Sequence, residues 1–94
     1  MRYLDQSKNF KQDLKRIGRG IYRSVVHVEL KEIVNALRND EPLAPKYRDH
    51  SLTGDRKGYR ECHVKPDLLL MYAYIGTDWL RLERLGSHAE LFGM

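Results

Sequence analysis

Apolar residues recur at helical spacing through the first part of the chain and at strand spacing through the second. Phe10, Leu14 and Ile17 share one face of a 3.6-residue period, with Lys8, Lys11, Lys15 and Arg19 on the opposite face. Ser7 is suited to cap this helix at its N-terminus, and Gly18 or Gly20 to end it. A second apolar arc, Tyr22, Val26, Leu30, Ile33, Val34 and Leu37, predicts a helix from about Tyr22 to Arg38. Asn39 to Pro45 contains two prolines among turn formers and reads as a connection. After the turn-rich stretch Leu52 to Gly58 the period changes to two, with Tyr59, Glu61 and His63 on one side and Arg60, Cys62 and Val64 on the other. Pro66-Asp67 makes a turn into Leu68 to Ile75, apolar enough on both sides for a central strand. Gly76-Thr77-Asp78 turns the chain again into Trp79 to Leu85, where simple alternation puts Leu80, Leu82 and Arg84 together. Arg2 to Leu4 fits a short first strand. Short links between the later strands imply antiparallel neighbours, so the pattern predicts an α+β fold: two N-terminal helices packed on a small twisted antiparallel sheet.

Ninety-four residues with 41% hydrophobic content suit one domain, residues 1–94, with one core. No apolar run is long enough to span a membrane, and MRYLDQSKNF lacks the apolar centre of a signal peptide, so a cytoplasmic protein without a membrane partner is expected. The single cysteine, Cys62, precludes an internal disulfide and suits a buried strand position. The net charge of +4 is unevenly placed: residues 1–23 carry seven Lys or Arg against Asp5 and Asp13, which leaves the remainder near neutrality. A single-sign stripe of Lys8, Lys11 and Lys15 is a candidate contact for a polyanion such as RNA.

The candidate chemistry gathers between Lys46 and Tyr72, with His50, His63, Asp49, Glu61 and Asp67 among Lys46, Arg48, Arg56, Lys57 and Arg60, and resumes at Arg84 and His88. Cleavage of RNA through its own 2′-hydroxyl needs a group to take the 2′-proton, another to protonate the departing 5′-oxygen, and a fixed cation for the extra phosphorane charge. Histidines supply the first two near neutral pH, and an arginine such as Arg84 the third. Asp67 or Glu61 can orient a histidine. This chemistry requires no cofactor. No metal is expected: H-x-E, HExxH and CxxC spacings are missing, and adjacent Cys62 and His63 point to opposite sides of a strand. His27, at the border of an apolar arc, is read as structural.

The stretches K-Y-x-D-H-x-L-x-G (from Lys46), G-Y-R-x-x-H-V-x-P-D-L-L-L-x-Y (from Gly58) and R-L-G-S-H-A-E-L-F (from Arg84) resemble the YafQ branch of the RelE-type toxins. The likeness covers Lys46 to Phe92 and implies a RelE-like fold with helices against a four- or five-stranded antiparallel sheet. It implies a ribosome-dependent mRNA endoribonuclease of a type II toxin-antitoxin system, acting on mRNA in the ribosomal A site with 16S rRNA contacts. A cognate acidic antitoxin of the DinJ/RelB type would neutralise it. Carried over by motif, His88 becomes the leading general-acid candidate. His50, His63 and Asp67 assist proton transfer or orientation, Arg84 stabilises charge, and Phe92 helps hold a base. Lys46, Arg48 and Arg60 are then candidate substrate contacts, as is Glu61, which stands where relatives commonly carry aspartate. Two other readings are a ParE-like toxin of the same fold that binds gyrase and cuts nothing, and an RNA-binding module without catalysis.

Overall fold

The computed structural model describes residues 1–93. The elements run β1 (Tyr3–Gln6), α1 (Lys8–Ile17), α2 (Arg23–His27), α3 (Glu29–Arg38), β2 (His50–Ser51), β3 (Arg60–Lys65), β4 (Leu68–Ile75), β5 (Trp79–Gly86) and α4 (His88–Phe92). Short 3₁₀ turns at Pro45–Tyr47 and Gly54–Arg56 flank β2. The five strands form one sheet in the order β1-β5-β4-β3-β2. No helix among the described residues is long and apolar enough to cross a membrane.

One face of the sheet is sealed by helices. Leu68, Leu70 and Tyr72 of β4 join Leu80, Leu82 and Leu85 of β5 against Phe10, Val25, Leu30, Ile33 and Leu37. Each of these side chains is nearly withdrawn from water, and burial of that kind is worth roughly 1.5–3 kcal/mol per large aliphatic side chain. Cys62 lies in the same core, where burial pushes its thiol up to about 12, so it stays protonated and unreactive near neutral pH.

Three features depart from the sequence expectation. The sheet is mixed rather than antiparallel, because β1 runs parallel to β5, pairing Tyr3 with Trp79 and Gln6 with Leu82. The predicted second helix is two helices, interrupted at Val28, whose φ of −116° and ψ of −73° depart from helical geometry. The β-branched run Val25, Val26 and Val28 weakens the helix there, and the break lets Val25 reach the core separately from Leu30, Ile33 and Leu37. The segment after β5, to which the sequence pattern assigns no element, is a helix: Ser87 accepts from the Glu90 N–H while the Glu90 carboxylate accepts from the Ser87 N–H. This reciprocal capping box is written in the sequence as Ser87-His88-Ala89-Glu90.

Candidate active site

The second face of the sheet carries the polar residues. Cross-strand register lines up His50 of β2 with Glu61 of β3, Glu61 with Met71 of β4, and Met71 with Arg84 of β5. Side chains directly opposite one another in antiparallel strands share a face, so His50, Glu61 and Arg84 lie in one row. Simple alternation would have put Arg84 with Leu82, on the covered face. A bulge prevents this: Leu82 is opposite Tyr72 while Arg84 is opposite Met71, so the intervening Glu83 is the extra residue and Arg84 is turned to the other side. Helix α1 holds the bulge from the edge where β1 ends. Ser7 Oγ donates to the Glu83 carbonyl at 2.6 Å, and the Leu85 N–H donates to Asp13 Oδ2 at 3.0 Å. Arg84 Nε and Nη2 donate to the same carboxylate at 2.7 and 3.3 Å, and Arg16 Nη1 donates at 3.0 Å. Burial alone would raise the Asp13 carboxyl, but the bonds from Arg84, Leu85 and Arg16 outweigh it and hold the carboxyl below its ordinary value.

Beside this row the histidines form a ladder of rings. His50 and His63 are 6.4 Å apart between centroids, His63 and His88 5.8 Å, and His88 and Phe92 5.9 Å. Helix α4 brings the last two in, and it can lie so close to β5 because Gly86 has no side chain. A Cβ there would meet Glu90 Oε1 at 2.9 Å. Arg16 ties the helix down through Glu90 at 3.0 Å.

Two of the imidazoles have defined orientations. His50 Nδ1 is 2.7 Å from the Arg48 carbonyl, and His63 Nδ1 is 3.2 Å from the Pro66 carbonyl. A carbonyl only accepts, so both Nδ1 atoms carry the proton and the neutral rings present bare Nε2 atoms. Those two Nε2 atoms converge on one oxygen, Glu61 Oε1, each at 3.7 Å. Glu61 is 3% exposed, so one carboxylate is held in the interior between two imidazoles and can balance the charge of one imidazolium. At the other end, Asp67 Oδ1 accepts the His88 N–H at 3.2 Å and lies 3.5 Å from His88 Nδ1, placing negative charge beside an accessible ring.

The remaining sequence candidates divide. Lys46 and Arg48 line a cleft of about 390 Å³ that shares His63, and the Lys46 ammonium lies 5.0 Å over the Tyr47 ring. Arg60 does not join the histidines. It stands opposite Tyr72 on the covered side and donates to Asp49 at 3.0 Å, Ser51 Oγ at 2.8 Å and the Tyr72 hydroxyl at 3.3 Å, while that hydroxyl donates to Asp49. The strand's period of two sends Arg60 away from Glu61, so the structure does not bring this expected substrate contact together with the histidines, and its bonds fix the segment leading to His50. Lys8, Lys11 and Lys15 are exposed around Gln12 on α1, apart from the rings. Arg56 was in the sequence's cation set without a role, yet its guanidinium lies 4.7 Å over Phe92. Nothing in the spacing signalled that contact, which joins the 3₁₀ turn before β3 to the end of α4, far apart in the chain. A larger apolar groove, about 690 Å³ between α1 and α3, contains none of the ladder residues. Among the described residues no group of three His, Cys, Asp or Glu side chains is arranged to hold a metal ion.

A family profile described as a bacterial toxin of type II toxin-antitoxin system, YafQ, matches residues 2–93. The chain belongs to the YafQ toxin family. It is 39% identical over 93 residues to the mRNA interferase toxin YafQ of Escherichia coli strain B / BL21-DE3, covering 98% of this chain and 97% of that one. Among solved structures it is similar to the E. coli DinJ-YafQ toxin-antitoxin complex, with a TM-score of 0.83, 39% identity and 98% of both chains covered. It is also similar to a metal-bound toxin from Helicobacter pylori, with a TM-score of 0.85 and 44% identity, covering 98% of this chain and 100% of that one. Membership of the YafQ family thus rests on nearly the full length, including the α1 region that the sequence motifs did not reach.

Proposed function

We propose that this YafQ-family toxin, a single domain over residues 1–94, is an mRNA endoribonuclease that cuts transcripts in the ribosomal A site of the cytoplasm and is neutralised by a cognate acidic antitoxin. Its curated relatives named mRNA interferase toxins support the activity, and the DinJ-YafQ complex supports the antitoxin. The observation that carries the mechanism is the ladder of three imidazoles with two carboxylates beside it: Glu61 between His50 and His63, and Asp67 beside His88.

In this mechanism Nε2 of His50 or His63 takes the proton of the 2′-hydroxyl, and the 2′-oxygen attacks phosphorus. The bond from phosphorus to the 5′-oxygen breaks, and the His88 imidazolium, charge-stabilised by Asp67, gives its proton to that oxygen. The products are a 2′,3′-cyclic phosphate and a 5′-hydroxyl. Arg84, aimed onto the same face by the bulge and held rigid by Asp13, offers charge to the phosphorane. Phe92, Lys46 and Arg48 then hold the flanking nucleotides.

The test is single-turnover cleavage of mRNA on programmed ribosomes, with ribosome binding measured alongside. His88→Ala should lose on the order of 10²- to 10⁴-fold in rate while binding persists. Full cleavage by this variant would remove His88 from the mechanism, whereas no cleavage by the unaltered toxin would suit the rival in which the fold acts by protein binding alone. Because a similar H. pylori toxin is described as metal-bound, a second arm treats the enzyme with EDTA and then restores only magnesium for the ribosomes. Cleavage should return in full. A requirement for added zinc or manganese would overturn the metal-free scheme.

A further inference from the structure

The ring ladder does not stop at Phe92. The Arg56 guanidinium stacks 4.7 Å over that ring, and its Nη2 donates to the Leu91 carbonyl at 3.2 Å, in the last turn of α4. The turn that delivers it begins at Gly54, whose φ of +66° is one that glycine adopts without strain. Among the described residues no carboxylate lies within ion-pair distance of Arg56. Three other arginines near the site are committed to carboxylates: Arg84 and Arg16 to Asp13, and Arg60 to Asp49. Arg56 is also exposed, and it sits one aromatic ring beyond His88, the group placed at the leaving 5′-oxygen.

Resting on the endoribonuclease reading above, we infer that Arg56 is a phosphate-binding residue of the substrate site: it holds the mRNA phosphate next to the one that is cut, on the His88 side. One edge of the planar fork is used by the Leu91 carbonyl and one face by Phe92. The remaining N–H groups are those a phosphate oxygen accepts from. The two internal contacts fix the guanidinium in advance, so that ordering it costs little when RNA arrives. The same contacts pin the end of α4, which makes a purely structural role the alternative to be separated.

The experiment uses full-length toxin and ribosomes programmed with mRNA carrying 2′-deoxy sugars in the A-site codon, so that binding is read without cutting, and all-ribose mRNA for cleavage in parallel. Arg56→Gln keeps an amide donor for the Leu91 carbonyl and a planar group over Phe92 but removes the charge. Arg56→Lys keeps the charge and loses the fork. Arg56→Gln should weaken binding about tenfold and lower the slope of log affinity against log salt by about 0.7 to 1, the signature of one lost phosphate contact. Its cleavage rate on saturated ribosomes should stay within about threefold of the unaltered toxin. Arg56→Lys should restore the slope. If Arg56→Gln binds with unchanged affinity and slope, the phosphate contact is overturned. A fall in saturated cleavage rate alone would likewise overturn it and leave Arg56 as a brace for α4. Failure of the unaltered toxin to cut all-ribose mRNA would sink the endoribonuclease reading instead, and the binding slopes would still decide the role of Arg56.

Discussion

Asp13 and Glu61 are both carboxylates withdrawn from water, 2% and 3% exposed, and their surroundings could hardly differ more. Asp13 accepts from Arg84, Arg16 and the Leu85 N–H at 2.7 to 3.3 Å, a saturated set that fixes a bulge. Glu61 faces two imidazole nitrogens, each 3.7 Å from one of its oxygens. A buried charge is tolerated when good geometry compensates it and is a liability when it does not. The first carboxylate therefore reads as architecture. The second is held in a loose arrangement that a proton moving between rings could tighten, and sites that do chemistry keep such uncompensated groups at some cost in stability.

Swapping the properties of the two carboxylates tests that contrast, and the larger effect is expected at Asp13. Asp13→Ala strands two arginines and an N–H at the strand edge and should cost roughly 3 kcal/mol in urea unfolding, a large part of what a domain of this size has. The pH dependence has a definite sign. Because the folded-state pKa is held low, Asp13 stabilises the protein above the unfolded value of about 4, and that contribution is lost as pH falls through the folded value. The acid limb of the stability curve should therefore be shallower in Asp13→Ala. A loss under about 1 kcal/mol, or an unchanged acid limb, would show that Asp13 is not the anchor. Glu61→Gln should do the reverse. It keeps the volume and removes an under-compensated charge, so stability should hold within about 1 kcal/mol or rise, while single-turnover cleavage falls about 10- to 100-fold. Retained activity would leave Glu61 as packing.

Much of this arrangement was legible before the structure, and the reasons are local. Period-two alternation at Tyr59 to Val64 put Glu61 and His63 together, and the Leu68 to Ile75 run made β4 central. His50, His63 and His88 could be grouped because each lies in a segment rich in charged residues or turn formers. What the sequence does not mark is non-local. The parallel pairing of β1 with β5 joins the two ends of the chain and leaves no mark on either segment. The bulge that turns Arg84 depends on Asp13 and Ser7, some seventy residues earlier. At Arg60 charge suggests a substrate contact, while the same alternation that places Glu61 puts Arg60 on the other face. The α4 helix, by contrast, has a local mark, since Ser87 and Glu90 stand at capping-box spacing.

The smallest effect is expected far from both carboxylates, on α1. Lys8, Lys11 and Lys15 are exposed, and none has an ion-pair partner within 4 Å among the described residues. An exposed cation gains little from the fold that carries it, and its value lies in releasing counterions when it meets a phosphate. Replacing all three with Gln should therefore leave stability within about 0.5 kcal/mol and leave the cleavage rate on saturated ribosomes unchanged. Affinity for ribosomes should fall, and the salt slope should flatten by up to about 0.7 to 0.9 for each lysine that touches RNA. The measured slope thus counts contacts without a structure of the complex. A slope that does not move would mean that the stripe meets only water, and that the positive charge of the first helix serves solvation.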